Sequence, residues 1–118
     1  MLATRYIYFT DNVQRMVSFY RDIMRMKVLM PPEATDHDPA GWVRLSSGGV
    51  EVAIHRAGKP GCPGRNRNKL VFIVNDVGAA REELRKAGVR VGKHHYYVNS
   101  ECCDFKDPDG NALQISSR

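Results

Sequence analysis

The sequence has no apolar run near the roughly 20 residues of a membrane span. Its opening stretch, MLATRYIYFTD, lacks the hydrophobic segment of a signal peptide. Those two absences make a cytoplasmic location and no membrane partner the expectation. Cysteine is scarce and odd in number, with three residues of which two are adjacent, Cys102 and Cys103. A disulfide framework needs an even, spaced set, so the pair reads as reduced packing residues in a reducing compartment. Acidic residues are missing from GKPGCPGRNRNK, residues 58–69, where Lys59, Arg65, Arg67 and Lys69 carry much of the net charge of +5. A basic loop can grip phosphates. This one has no aromatic side chain to stack a base, and its glycines, prolines and asparagines are those of a solvated linker. The linker reading is taken and no nucleic-acid partner is expected.

What remains is an ordinary globular composition, 42% hydrophobic and 26% charged over 118 residues, enough for one domain or two small halves. The chain repeats one grammar. RYIYF (5–9) alternates, with Ile7 and Phe9 expected inward and Thr4, Tyr6 and Tyr8 on the other face. A helix should follow, capped by Asp11 with Gln14 three residues on as a capping box, and with Val13, Met16, Val17, Tyr20, Ile23 and Met24 on its apolar stripe. KVLMPPEATDHDPAGW (27–42) is a short extended piece and a polar loop in which His37 reads as solvated. WVRLSSGGVEVAIHR (42–56) is a hairpin around Ser47-Gly48-Gly49: Val43, Leu45, Val50, Val52 and Ile54 alternate with Trp42, Arg44, Glu51, Ala53 and His55.

After the linker the pattern restarts. KLVFIV sets Leu70, Phe72 and Val74 against Lys69, Val71 and Ile73. Asn75 or Asp76 caps a helix with Val77, Ala80, Leu84 and Ala87 on one stripe, and Gly88 is its stop. Extended pieces follow, then ECCDFKD and the turn Asp107-Pro108-Asp109-Gly110, in which Asp107 bonds its own backbone and Gly110 accepts a positive φ. A last strand carries Leu113 and Ile115 on one face and Gln114 on the other. Each half thus reads strand, helix, three strands, with Asp11 matching Asp76 and Gly49 matching Gly110. The expected divisions are a first module at about 1–57, a linker at 58–67 and a second module at 68–118, in the α+β class.

With its DNVQRMVSFYRDIM and FKDPDGNALQI stretches, this grammar resembles the vicinal oxygen chelate superfamily, which contains glyoxalases, bleomycin-resistance proteins and extradiol dioxygenases. The resemblance implies two βαβββ modules forming a cup-shaped curved mixed sheet, with helices on the convex face, a ligand cavity on the concave face, and usually a homodimer. In metal-dependent relatives it also implies ligands in the first and last strands of each module. Counted from the caps Asp11 and Asp76, the first-strand positions fall on Thr4 and Lys69. Counted from the turn glycines, the last-strand positions fall on Ala53 and Gln114. Thr4 and Gln114 are weak neutral ligands, Ala53 is none, and an ammonium at Lys69 repels a divalent ion. No metal or other cofactor is therefore expected.

The leading function is a metal-free protein that binds or sequesters an anionic or aromatic metabolite or drug. Tyr6, Tyr8, Trp42, Arg44, His55, Lys69 and Gln114 are the expected lining, flat rings for the walls and cations for the charge. Bleomycin itself is cationic and unsuited to so basic a chain. Lys69 is expected to hold an anion or a carboxylate, with Glu51 the nearest. The rival readings are a metal-dependent lyase, isomerase or dioxygenase using Gln114, His55 and Glu51, a metal-free enzyme with His55 as general base, and a basic interaction module. His94 and His95 face opposite ways on a strand, and with Cys102 they match no zinc spacing.

Overall fold

The computed structural model describes residues 1–31, 37–58 and 68–118, so nearly all of the basic linker, with Lys59, Arg65 and Arg67, lies outside the described residues. The chain divides into two compact units, Met1–Pro63 and Gly64–Arg118. The first contains β1 (Arg5–Thr10), α1 (Val13–Ser18), β2 (Lys27–Met30), β3 (Trp42–Ser46) and β4 (Glu51–Arg56). Its sheet runs β1-β4-β3-β2, with β1 parallel to β4 and the other pairs antiparallel. The second contains β5 (Lys69–Ile73), α2 (Val77–Lys86), β6 (His95–Tyr96), β7 (Glu101–Lys106) and β8 (Ala112–Ser116). Its sheet runs β5-β8-β7-β6, with β5 parallel to β8. One α+β topology, βαβββ, is built twice. No helix among the described residues is long and apolar enough to cross a membrane.

In the first unit the hairpin alternation holds except at Val50, which lies in the turn before β4 and is exposed. Val43 faces Ile54 and Leu45 faces Val52 across the ladder, and all four are fully buried beneath α1. Val13, Met16, Val17, Phe19 and Tyr20 supply the helix side of that core. From Phe19 to Ile23 the α-helix widens into a π-helical turn, which carries Tyr20 inward with no exposed surface.

Two expectations fail at the start of this unit, for one connected reason. The helix cap is Asn12, not Asp11: Asn12 Oδ1 accepts the Arg15 backbone N–H at 3.0 Å. The hydroxyl of Thr10 accepts the Asn12 N–H at 3.0 Å and is buried at the same corner. A buried Thr10 obliges Tyr8 to point the same way. Tyr8 is 4% exposed and stacks on Tyr20 with centroids 5.8 Å apart, while Ile7 and Phe9 face outward, 41% and 60% exposed. Both faces of RYIYF are apolar, so alternation alone could not set its phase. Gln14 also takes another role: its amide donates to Ser18 Oγ, and its oxygen accepts the His37 backbone N–H at 2.6 Å. That bond helps hold His37 inside, 1% exposed, with Nε2 3.5 Å from Arg21 Nη1. His37 is part of the interior, not the solvated side chain its polar loop implied.

The second unit follows its pattern more closely. Asp76 Oδ1 accepts the Ala79 N–H, and the helix ends as expected at Gly88, φ 89°. There the Gly88 and Val89 N–H groups return to the Arg85 and Leu84 carbonyls, a Schellman closure. Leu113, Ile115, Cys103 and Phe105 are buried on the helix side, and both Cys102 and Cys103 are reduced and buried. Burial pushes the Cys103 thiol pKa up. The turn before β8 is built on Asp107. Its Oδ1 accepts the Asp109 and Asn111 N–H groups, its Oδ2 accepts the Asn111 side-chain amide at 2.8 Å, and Gly110 takes φ 85°.

Candidate functional site

Each sheet has one face covered by its helix and one open face, and the chemistry of interest lies on the open faces. In the first unit that face carries Arg5 on β1, Arg44 on β3 and Glu51 on β4. Arg5 and Glu51 are register partners, while Arg44 lies one step diagonal to Glu51. Arg44 grips the carboxylate with both Nη2 (2.7 Å to Oε1) and Nε (3.0 Å to Oε2), and Arg5 Nε adds 3.0 Å to Oε2. Arg44, and then Arg5, hold the Glu51 carboxyl down at about 2 from 4.5. Two guanidiniums on one carboxylate leave the trio with a positive charge in excess.

Beside it lies an aromatic group. Trp42 and His55 are register partners that meet edge to face, centroids 5.5 Å apart, and Phe9, the partner of His55 on β1, tilts against the imidazole at 5.2 Å. The Arg5 guanidinium lies 5.6 Å from the Trp42 ring centroid, so the cationic trio and the rings form one continuous patch. His55 Nδ1 stands 2.6 Å from the Arg56 carbonyl oxygen. A carbonyl only accepts, so Nδ1 holds the proton, and in the neutral ring Nε2 is a lone-pair acceptor.

The open face of the second unit is built differently. Asp104 on β7 is the register partner of Gln114 on β8. One of its oxygens, Oδ1, accepts both the Lys69 ammonium at 2.8 Å and the Gln114 amide at 2.8 Å. Burial pushes the Asp104 carboxyl up, yet the bonds from Lys69 and Gln114 together with the nearby positive charge outweigh it and hold the group below its ordinary value. This trio is neutral. Val71 and Ile73 stand exposed beside it on β5. At the far edge, His94 Nε2 lies 3.1 Å from Glu101 Oε1, and its ring stacks on Tyr96 at 4.1 Å.

The structure thus groups Trp42, Arg44 and His55 on one face and joins Lys69 to Gln114 on another. Tyr8 is withdrawn to the helix side, and Tyr6, half-buried, shares that side and packs on it at 4.8 Å. Both depart from the open-face lining expected of them, since β1 is phased by Thr10. The carboxylate partner of Lys69 is Asp104 rather than Glu51, which is taken by the two arginines. Arg5, Phe9 and Asp104 were missed. Asp104 was legible: Cys103 and Phe105 point inward, and a hairpin closed at Asp107–Asn111 sets Asp104 opposite Gln114.

The family model described as the Glyoxalase/Bleomycin resistance protein/Dioxygenase superfamily matches residues 3–115. The chain belongs to this superfamily. Solved structures of the superfamily's fold extend along nearly its whole length. A glyoxalase family protein from Bacillus anthracis is 18% identical, with a TM-score of 0.76 over 98% of this chain and 93% of that one. A lactoylglutathione lyase from Agrobacterium tumefaciens is 17% identical, with a TM-score of 0.73 over 96% and 90%. TnmS3, an antibiotic binding protein from Streptomyces sp. CB03234, is 18% identical, with a TM-score of 0.74 over 98% and 93%. Identities this low carry the fold and leave function to the site. No curated protein matches the chain.

The superfamily's metal-dependent members raise the question of an ion here, and the donor set answers it. With Asn12 as the cap, the position seven residues before it is Arg5, the counterpart of Lys69 seven residues before Asp76. Thr4, the residue counted from Asp11, falls outside β1. The family positions are therefore two cations, an alanine, and a glutamine whose amide is turned to Asp104. This set does not fit a divalent ion, which needs imidazole and carboxylate donors. Among the described residues no three His, Cys, Asp or Glu side chains come together.

Proposed function

We propose that this superfamily member is a metal-free small-molecule binding protein that holds or sequesters an anionic, aromatic ligand on the open face of its first unit. The observation that carries the reading is the adjacency of the Arg5–Glu51–Arg44 trio, with its excess positive charge, to the rings of Phe9, Trp42 and His55. Charge and flat apolar surface on one patch suit a planar ring bearing a carboxylate or similar group. The antibiotic-binding relative of the same fold is consistent with a binding role. We also propose a homodimer, since so short a chain has little spare core of its own; sedimentation showing only monomer at micromolar concentration overturns that part.

The test of the binding role compares ligands by thermal unfolding. An aromatic acid at 100 times its dissociation constant should stabilise the native protein by about 2.7 kcal/mol. Nickel, zinc, manganese and iron should not. Stoichiometric tightly held metal in purified protein would overturn the reading in favour of a metal-dependent enzyme.

A further inference from the structure

Resting on that reading, we infer that the ligand carries a hydrogen-bond donor as well as its anionic group, so that the first unit selects hydroxylated aromatic acids, with His55 Nε2 as the selecting acceptor. The Arg56 carbonyl, 2.6 Å from Nδ1, fixes the neutral ring with its proton on that nitrogen. His55 lies on the open face between Phe9 and Trp42, touching each ring, and among the described residues Nε2 has no hydrogen-bond partner. A half-buried acceptor walled by two aromatic rings gains most from a donor delivered by a flat partner that can lie along those rings.

The anionic end falls to the arginines beside the indole. The Arg5 guanidinium lies 5.6 Å from the Trp42 ring centroid, and His55 meets the same ring edge to face. Arg5 commits only Nε to Glu51, and Arg44 commits Nε and Nη2. Among the described residues, both terminal nitrogens of Arg5 and Nη1 of Arg44 remain as free donors. An acid group on these nitrogens and a hydroxyl on Nε2 place a benzene-sized ring against Trp42. The face supplies donors at one end and an acceptor at the other. It therefore discriminates against aromatic acids that lack the hydroxyl, because these leave the acceptor desolvated and unpaired.

The chain's single tryptophan is Trp42, so its fluorescence reports on this face alone. Titrating native protein with 4-hydroxybenzoate and with 4-fluorobenzoate, of similar size and charge, should show the hydroxy acid bound about five- to tenfold more tightly. In His55→Phe, which keeps a ring and removes the acceptor, 4-hydroxybenzoate should fall to the level of the fluoro acid. His55→Gln, whose amide oxygen still accepts, should retain part of the preference. Equal affinity of the two acids in native protein, or a preference that survives in His55→Phe, overturns the role of His55 while leaving the binding role standing. If neither acid perturbs Trp42, the binding reading on this face falls, and this inference falls with it.

Discussion

The two units share a topology and differ in where each keeps its negative charge. Register makes Arg5 the counterpart of Lys69, Ala53 of Gln114 and Arg44 of Asp104. In the first unit the carboxylate, Glu51, lies on the strand between two arginines and satisfies neither completely. In the second it lies on β7, where Asp104 neutralises the single lysine and orients the glutamine as well. Two matched differences, Arg44 for Asp104 and Glu51 for Ala112, separate a face with charge left to offer from a face that is internally satisfied. The cores differ in the same direction. α1 and its π-helical extension bury five side chains including Tyr20, whereas α2 buries Val77 and Leu84. The two units share their backbone order and differ in the side chains on both faces of it.

The sharpest way to probe that contrast is through the helices. Tyr20→Ala removes a fully buried ring stacked on Tyr8 and should cost about 3–5 kcal/mol, while Leu84→Ala should cost about 2 kcal/mol. Urea midpoints compare them directly, and equal losses would show that the second core is as tightly packed as the first. The turns come next. Asp107 accepts three hydrogen bonds inside a buried turn, and Asp107→Ala should cost about 3 kcal/mol. In the corresponding turn of the first unit Ser46 accepts one N–H, from Gly48, so Ser46→Ala should cost about 0.5–1 kcal/mol.

The open faces are compared through ligand. Arg44→Met should abolish the roughly 2.7 kcal/mol of stabilisation by a saturating aromatic acid, whereas Lys69→Met should leave it in place, because that ammonium is already engaged by Asp104. Loss in Lys69→Met would move the anion site to the second unit. The smallest effect is the response to acid. Glu51 is depressed in the folded state, so its contribution is present above its ordinary value of 4.5 and is lost as pH falls from there toward about 2. Carboxyl NMR titration should place the Glu51 midpoint near 2, and Glu51→Gln should remove that part of the acid sensitivity. A Glu51 midpoint at the ordinary value would show the double clamp absent in solution.

The sequence by itself determined the repeated βαβββ order, the core of the 42–56 hairpin apart from Val50, a cap at Asn75 or Asp76, the Gly88 stop and the Asp107 turn. Each is a local matter: period-two burial, a short side chain beside free N–H groups, or a backbone angle that favours glycine. It also showed poor metal donors at the positions counted as the family's, although whether Thr4 or Arg5 holds the first of them was decided by the Asn12 cap. Tertiary structure decided the rest. The phase of β1 depended on whether Thr10 or Asp11 turned the corner, which two apolar faces could not reveal and which Tyr20 settled by stacking on Tyr8. His37 looked solvated in its polar loop and was drawn inward by Gln14, 23 residues away. Lys69 took Asp104 instead of Glu51 because charges pair by strand register and reach, which order along the chain does not state.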